Sequence, residues 1–319
     1  MKNNHNNTFW VIVQKEITDH IRNWRFIILS IIILLTTLSS MYTTIVNISK
    51  AIKSQEIEGA FYFLRLFTTG SESLPSFIVF LGFLGPLLGI AMGFDAINSE
   101  QNRGTLIRVL SQPIPRDYII NAKFVAALII ISIMFFTLGF LILGIGFIII
   151  GFPPTPEEFL RIIFFIILSI IYVSFWLNMS IYFSLRFRQP ATSALAGIAV
   201  WLFCSIFYIM IVDLLIKIFI PSETSSIARL ISPDYLRIIL LRILPNELYS
   251  EATTTLLMPS IRSLGPLTYE KVYGSLPNPL SLSQSLLLVW AHITALIAGT
   301  IIFFVLSYTS FMKKEIRPR

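Results

Sequence analysis

Few side chains in this sequence could make or break a covalent bond. Three histidines (His5, His20 and His292) and one cysteine (Cys204) are the whole stock of soft ligands. They lie far apart in sequence, without the close spacing that a metal site needs. No G-x-x-x-x-G-K-[ST] loop and no H-E-x-x-H occurs, which excludes P-loop ATP hydrolysis and zincin hydrolysis by this chain. Asp213 and Lys217 stand four residues apart, the spacing of a local helical ion pair. His292 falls in the first third of the last apolar run, where an ionisable group is either a helix–helix hydrogen-bonding residue or a functional one. A single cysteine excludes an internal disulfide. Neither a catalytic constellation nor a metal site is expected.

The remaining chemistry is charge, and it is concentrated in residues 95–123, between two strongly apolar runs. Asn98 or Ser99 can cap a helix that starts near Glu100, whose carboxylate suits a helix N-terminus. Leu106, Val109 and Leu110 supply one apolar face, Arg103 and Arg108 offer charge, and Gly104 permits close backbone approach. Gln112 and Pro113 end this helix, Pro115 fixes the next turn, and Asp117 is placed to cap the helix that follows.

The frame that must hold these charges is a lipid bilayer. The 319 residues are 55% hydrophobic and only 13% charged, with a mean hydropathy of +0.79. Six stretches, near 26–45, 76–94, 124–150, 162–185, 191–216 and 285–311, are long enough to cross a hydrocarbon core of about 30 Å, which takes roughly 20 helical residues. Lipid forces each backbone polar group to pair within its own helix. The expected fold is therefore an all-α integral membrane protein, a single domain over residues 1–319.

The net charge of +7 could suggest nucleic acid, but its distribution argues against that partner. With both termini cytoplasmic, segments 1–25, 95–123, 186–190 and 312–319 face the cytoplasm. They hold 14 of the 24 Lys and Arg residues and 6 of the 17 acids. That bias is the positive-inside signal of a multi-pass protein. Membrane lipids are the expected surroundings.

Residues 9–24 place Phe9, Val13, Ile17 and Ile21 at four-residue steps, with Trp10 and Trp24 nearby and Lys15, Asp19 and Arg22 on another face. This predicts an amphipathic helix in the membrane interface, tryptophans at headgroup depth. Arg25 is expected to snorkel at the mouth of the first span, which reads as a retained signal anchor. Gly85, Gly89 and Gly93 share one helix face and allow close approach. That face serves either ordinary packing within the chain or a central cavity or subunit interface.

On the outer side, residues 46–75 read as a loop, and Arg161 is free to snorkel outward at the start of the fourth span. Residues 217–284 form a long outer segment with two short helices, Asp234–Leu244 and Leu248–Leu257, expected to lie on the outer leaflet or dip into it. Buried carboxylates of a proton-coupled carrier and the charged ring of a channel are both missing. The chain has a transporter's body without a visible energy source, which points to a partner.

Several motifs carry a family resemblance. Glu100-x-x-Arg103-Gly104-Thr105-Leu106, then Leu110-Ser111-x-Pro113-x-x-Arg116 and Lys123, resembles the signature of ABC type-2 transporter permeases. Gln14-Lys15-Glu16-Ile17, continuing to Arg22 and Arg25-Phe26, is similar to their opening elbow helix, and Phe311-x-Lys313-Lys314-Glu315-Ile316-Arg317 to their closing tail. Ser232-Pro233, through Ser250-Glu251-Ala252 to Leu257 and Pro259, is similar to the segment before their last span.

The resemblance implies a six-span permease of the plasma membrane, an exporter with no ATP site of its own. It would dimerise with a second copy or a homologous permease and dock two copies of a separate P-loop ATPase, which binds the ATP and Mg. The helix from about 98 to 111 would be the coupling helix beside the elbow. Glu100 and Arg103 would stiffen it, and Arg116 and Lys123 would anchor its return to the membrane. The rival readings are a structural or signalling protein on the same scaffold and a secondary carrier working alone.

Overall fold

The computed structural model of the chain describes residues 2–53, 61–70, 75–219, 233–260 and 279–314, and every regular element among them is a helix. In chain order these are α1 (Lys2–Ile21), α2 (Trp24–Lys53), α3 (Tyr62–Thr68), α4 (Phe77–Gly93), α5 (Asn98–Asn102), α6 (Thr105–Leu110), α7 (Arg116–Ile150) and α8 (Pro156–Arg186). There follow α9 (Pro190–Leu202), a π-helical turn (Phe203–Phe207), α10 (Tyr208–Phe219), α11 (Pro233–Leu241), α12 (Pro245–Leu257) and α13 (Leu282–Lys313). Six segments are long and apolar enough to cross a membrane: α2, α4 with its extension to Asn102, α7, α8, α9 through α10, and α13. The protein is an all-α, multi-pass membrane protein.

Local signals set the reversals. Gly151 stops α7 at φ +85, a left-handed conformation that costs glycine little. Thr155 and Glu158 then cap α8 reciprocally: the Thr155 hydroxyl accepts from Glu158 N, and the Glu158 carboxylate accepts from Thr155 N at 2.9 Å. Short turns at 151–155 and 187–189 leave α7, α8 and α9 as successive antiparallel neighbours. Two ends result. One carries α1, the start of α2, α5, α6, the start of α7 and the termini of α8 and α13. The opposite one carries α3, α11, α12 and the start of α13.

Helix α8 is the axis of the bundle and packs against α4, α7, α9, α12 and α13. Tyr172, Val173, Trp176 and Leu177 on it are fully buried. Gly85, Gly89 and Gly93 of α4 lie against this helix, and Gly85 also lines a small cavity with Ile33, Phe77, Leu81 and Phe135. A Cβ on Gly89 would stand 2.6 Å from Val173 O, and one on Gly93 would stand 2.7 Å from Leu177 O. The backbones touch, and only glycine fits.

The opposite end departs from the expected outer loops. α3 arises within the stretch read as a loop, and its Phe63, Leu64, Leu66 and Phe67 are buried in the bundle. Glu158, whose carboxylate also accepts from Phe63 N at 2.9 Å, ties it to α8. The two expected outer helices form as α11 and α12: α11 ends earlier than expected, at Leu241, and α12 starts earlier, at Pro245, and ends at Leu257 as expected. α12 inserts among α3, α4, α8 and α13, and Tyr249 stacks on Tyr172 at 4.2 Å between ring centroids.

Arg161 does not snorkel outward. It is fully buried, and its guanidinium donates to Glu157 Oε1 (2.8 Å), Leu256 O (2.9 Å), Leu280 O (2.6 Å) and Ser285 Oγ (3.1 Å). It closes off the last carbonyls of α12 and the approach to α13, which is why the low-dielectric interior tolerates the charge. Asp213 pairs with Arg237 of α11 at 2.7 Å, not with Lys217. The partner is distant in sequence and invisible to helical spacing.

Candidate functional site

At the end carrying α1, three elements meet at one ammonium group. Lys123, on the second turn of α7, is buried and donates to Glu16 Oε1 (3.1 Å) and Oε2 (3.0 Å) of α1 and to Glu100 Oε1 (2.8 Å) of α5. Lys15 joins from the solvent side, 2.9 Å from Glu16 and 3.3 Å from Glu100. Burial opposes ionisation of Glu16, but Lys123 and Lys15 outweigh it and hold its carboxyl below its ordinary range. The four charges are balanced, two against two, and they join α1, α5 and α7.

The sequence places Glu16 there by periodicity. Phe9, Val13 and Ile17 form one stripe of α1, and that stripe packs on Ala122 and Ala126 of α7, with Phe9 edge-on to Tyr118 at 5.5 Å. The apolar face expected to meet lipid therefore meets α7, and Glu16 rides on it. Trp10, Val11, Ile21 and Trp24 are the exposed large apolar residues of this stretch.

The segment read as one capped helix from 98 to 111 is two helices, α5 and α6, split where Gly104 takes φ +71. Neither Asn98 nor Ser99 caps α5. The first backbone donors, Ile97 N and Asn98 N, both go to the hydroxyl of Ser184 on α8, at 2.9 and 3.1 Å. Asp117 is likewise no cap; Pro115 precedes α7 without a side-chain bond. More ties hold α5: Asn102 Nδ2 donates to Arg188 O at 3.0 Å, and Lys314 Nζ donates to Gln101 Oε1 (2.9 Å) and Leu185 O (3.0 Å).

α6 is anchored differently. Leu106, Val109 and Leu110 rest on a small cluster with Ile97, Ile119, Ile120, Leu185 and Phe311, while Thr105 and Arg108 face outward and are exposed. Pro113 and Arg116 close the segment on the exposed side. Arg25 does more than snorkel: it pairs with Asp95 and stacks over Phe94, 4.7 Å from the ring centroid.

A family model described as "ABC-2 family transporter protein" matches residues 10–316. The chain belongs to that family. "Probable ABC transporter permease protein NosY" of Stutzerimonas stutzeri is 24% identical to it, over 92% of this chain and 98% of that protein. This ABC-2 chain is thus a transmembrane subunit of an ABC transporter, a class that associates with an ATPase subunit.

Of the residues singled out from the sequence of this ABC-2 transporter protein, the fold brings together Lys15, Glu16, Glu100 and Lys123. Arg25 is linked to the same end through Asp95. Arg22, Arg103, Arg108 and Arg116 are exposed, and among the described residues none has an ion-pair partner. Glu315, Ile316 and Arg317 of the closing tail and Ser232 of the outer motif lie outside the described residues. Sequence reasoning missed Ser184, Asn102 and Lys314 as holders of α5, because nothing in their own neighbourhood predicts a bond to a helix 80 or more residues away.

A second polar group sits at the opposite end of this ABC-2 chain. His292 Nε2 stands 2.7 Å from Glu251 Oε2, which also accepts from Arg242 Nε at 2.9 Å. Burial pushes the Glu251 carboxyl up, but its bonds to His292 and Arg242 more than offset that and leave it below its ordinary range. Here the hydrogen-bonding reading of His292 has a specific partner, one that locks α12 to α13.

Proposed function

We propose that this chain is the permease subunit of an ATP-driven ABC exporter, in which α1 is the elbow helix and α5–α6 the coupling element. The observation that carries the reading is the double bridge from Lys123 to Glu16 and Glu100. A displacement of α5 is coupled to α1 and α7, because breaking the Lys123–Glu100 contact leaves the buried ammonium with Glu16 as its one remaining carboxylate, at a cost in low dielectric. A push on α5–α6 therefore travels into the spans as a rigid-body shift, and Ser184 and Lys314 carry it to α8 and α13.

In this reading the end with α1, α5 and α6 is cytoplasmic, as are both termini, and the membrane is the plasma membrane. Two copies of a P-loop ATPase, holding ATP and Mg, dock there, and a second permease completes the pathway. ATP binding draws the ATPases together, and the bundle answers by exchanging inward- and outward-open arrangements.

The test is reconstitution of the chain with the P-loop ATPase that co-purifies with it. Glu100→Ala should leave membrane insertion and ATPase binding intact while lowering ATP-driven transport at least about tenfold, as expected when a coupling contact of about 1.4 kcal/mol or more is removed. Wild-type transport by the Glu100→Ala complex would overturn the coupling role. A chain that moves substrate without any ATPase would instead support a lone carrier.

A further inference from the structure

The charges at the α1 end are sorted unequally. Asp19 pairs with Lys15, Asp95 with Arg25, and Glu16 and Glu100 with Lys123. Four of the five described acids in segments 1–25 and 95–123 are thus neutralised within the chain, leaving Asp117. Beyond Lys15, Arg25 and Lys123, the described cations of this end are not. Arg22, Arg103, Arg108, Arg116, Arg186, Arg188 and Lys313 are exposed, and among the described residues none forms an ion pair.

Arg22 and Arg188 lie in the short turns after α1 and α8, and position separates the other five cations into two sets. Arg116, Arg186 and Lys313 are terminal residues of membrane-crossing helices, at the depth where basic side chains meet lipid headgroups. Arg103 and Arg108 lie between the second and third crossing segments, outside both. Arg103 directly precedes the left-handed Gly104, and Arg108 stands on the face of α6 opposite Leu106, Val109 and Leu110. α6 is held to the bundle by that apolar face, so its guanidinium-bearing face is turned away from the protein.

We propose that Arg103 and Arg108 form a cationic docking face for an acidic surface of the ATPase subunit, α5 serving as the transmitting root and α6 as the contacting tip. The inference rests on the permease reading above and adds the chemistry of the partner's surface. Guanidinium groups at a solvent-exposed tip, with no carboxylate partner among the described residues, suit bidentate recognition of Asp and Glu side chains. Contacts of this kind set on-rate and salt dependence more than ultimate affinity.

The experiment measures binding of the purified P-loop ATPase to the chain in nanodiscs of phosphatidylcholine, at low and at physiological ionic strength. The double variant Arg103→Glu/Arg108→Glu should bind about tenfold or more weakly and lose most of the wild-type dependence on salt. Arg103→Lys/Arg108→Lys should retain most of the affinity, and carboxylate-to-lysine changes in the ATPase should restore binding to the charge-reversed chain. An unshifted elution volume by size exclusion confirms that each variant is folded. Equal binding and equal salt slope in wild type and the charge-reversed chain overturn the docking face while leaving the permease reading standing. Loss of binding seen only when phosphatidylglycerol is present assigns the arginines to lipid headgroups and also overturns it. Failure of the wild-type chain to bind the ATPase at all counts against the permease reading itself.

Discussion

Lys123 and Glu16, separated by 107 residues in sequence, form a buried ion pair in which one ammonium meets both carboxylate oxygens, at 3.1 and 3.0 Å. Lys123→Met removes the buried cation and leaves Glu16 and Glu100 with only the half-exposed Lys15 between them. The expected cost is about 3 kcal/mol or more, read as a lowered melting temperature in detergent. Glu16→Gln keeps a hydrogen-bond acceptor and should cost about half as much.

The pH dependence of that junction has a definite sign. The Glu16 carboxyl titrates below its ordinary value of 4.5 in the folded chain, because Lys123 and Lys15 outweigh burial. Its stabilisation is therefore complete above about pH 5 and disappears as the pH falls through the lower folded value. The gap in melting temperature between wild type and Glu16→Gln should be constant from about pH 5 to pH 8 and close on further acidification. A gap that closes near neutrality would refute this assignment.

Ser184 carries two orphan donors of α5 on one hydroxyl. Ser184→Ala should destabilise the chain by about 1–2 kcal/mol, the usual cost of losing a cap. Hydrogen exchange at Ile97 and Asn98 should accelerate well beyond that of α4. In the reconstituted complex, transport should fall more than ATPase binding, since α6 and its outward face remain.

Glycine substitutions separate close packing from mere glycine content. Gly89→Ala and Gly93→Ala place a Cβ against backbone atoms of α8 that cannot step aside, and each should lower stability by about 1–3 kcal/mol. Gly144→Ala, where a Cβ meets nothing within 4 Å, should be neutral or stabilising by up to about 1 kcal/mol. Thermal unfolding of the three variants side by side is the measurement.

Arg161 offers a stringent test at the opposite end. Arg161→Leu strands the carbonyls of Leu256 and Leu280 and the hydroxyl of Ser285, for a loss of about 3 kcal/mol or more. Arg161→Lys should rescue little, because a point charge cannot span four acceptors as a planar guanidinium does. Limited proteolysis around α12 is expected to rise in both variants.

Composition and periodicity alone determined that this is a six-span helical membrane protein. Runs of about 20 apolar residues admit no other solution in lipid. The motif around Glu100 and Arg103, with the elbow-like start and basic tail, was likewise legible, because family signatures are local strings. The end of α7 at Gly151 and the start of α8 at Pro156 follow from turn chemistry within a few residues.

Only the tertiary structure decided which charges meet. Arg161 reads locally as a snorkelling residue, yet it is buried because α12 and α13 bring carbonyls to it from 95 and 119 residues away. Asp213 finds Arg237, not Lys217. The α1 stripe packs on α7, not on lipid, and α5 is capped from α8, not by its own Asn98 or Ser99. Local propensity sees one helix at a time, whereas desolvating a charge or a backbone donor is a property of everything packed around it. The partners of Glu16, Glu100 and Lys123 were therefore fixed only when the bundle closed.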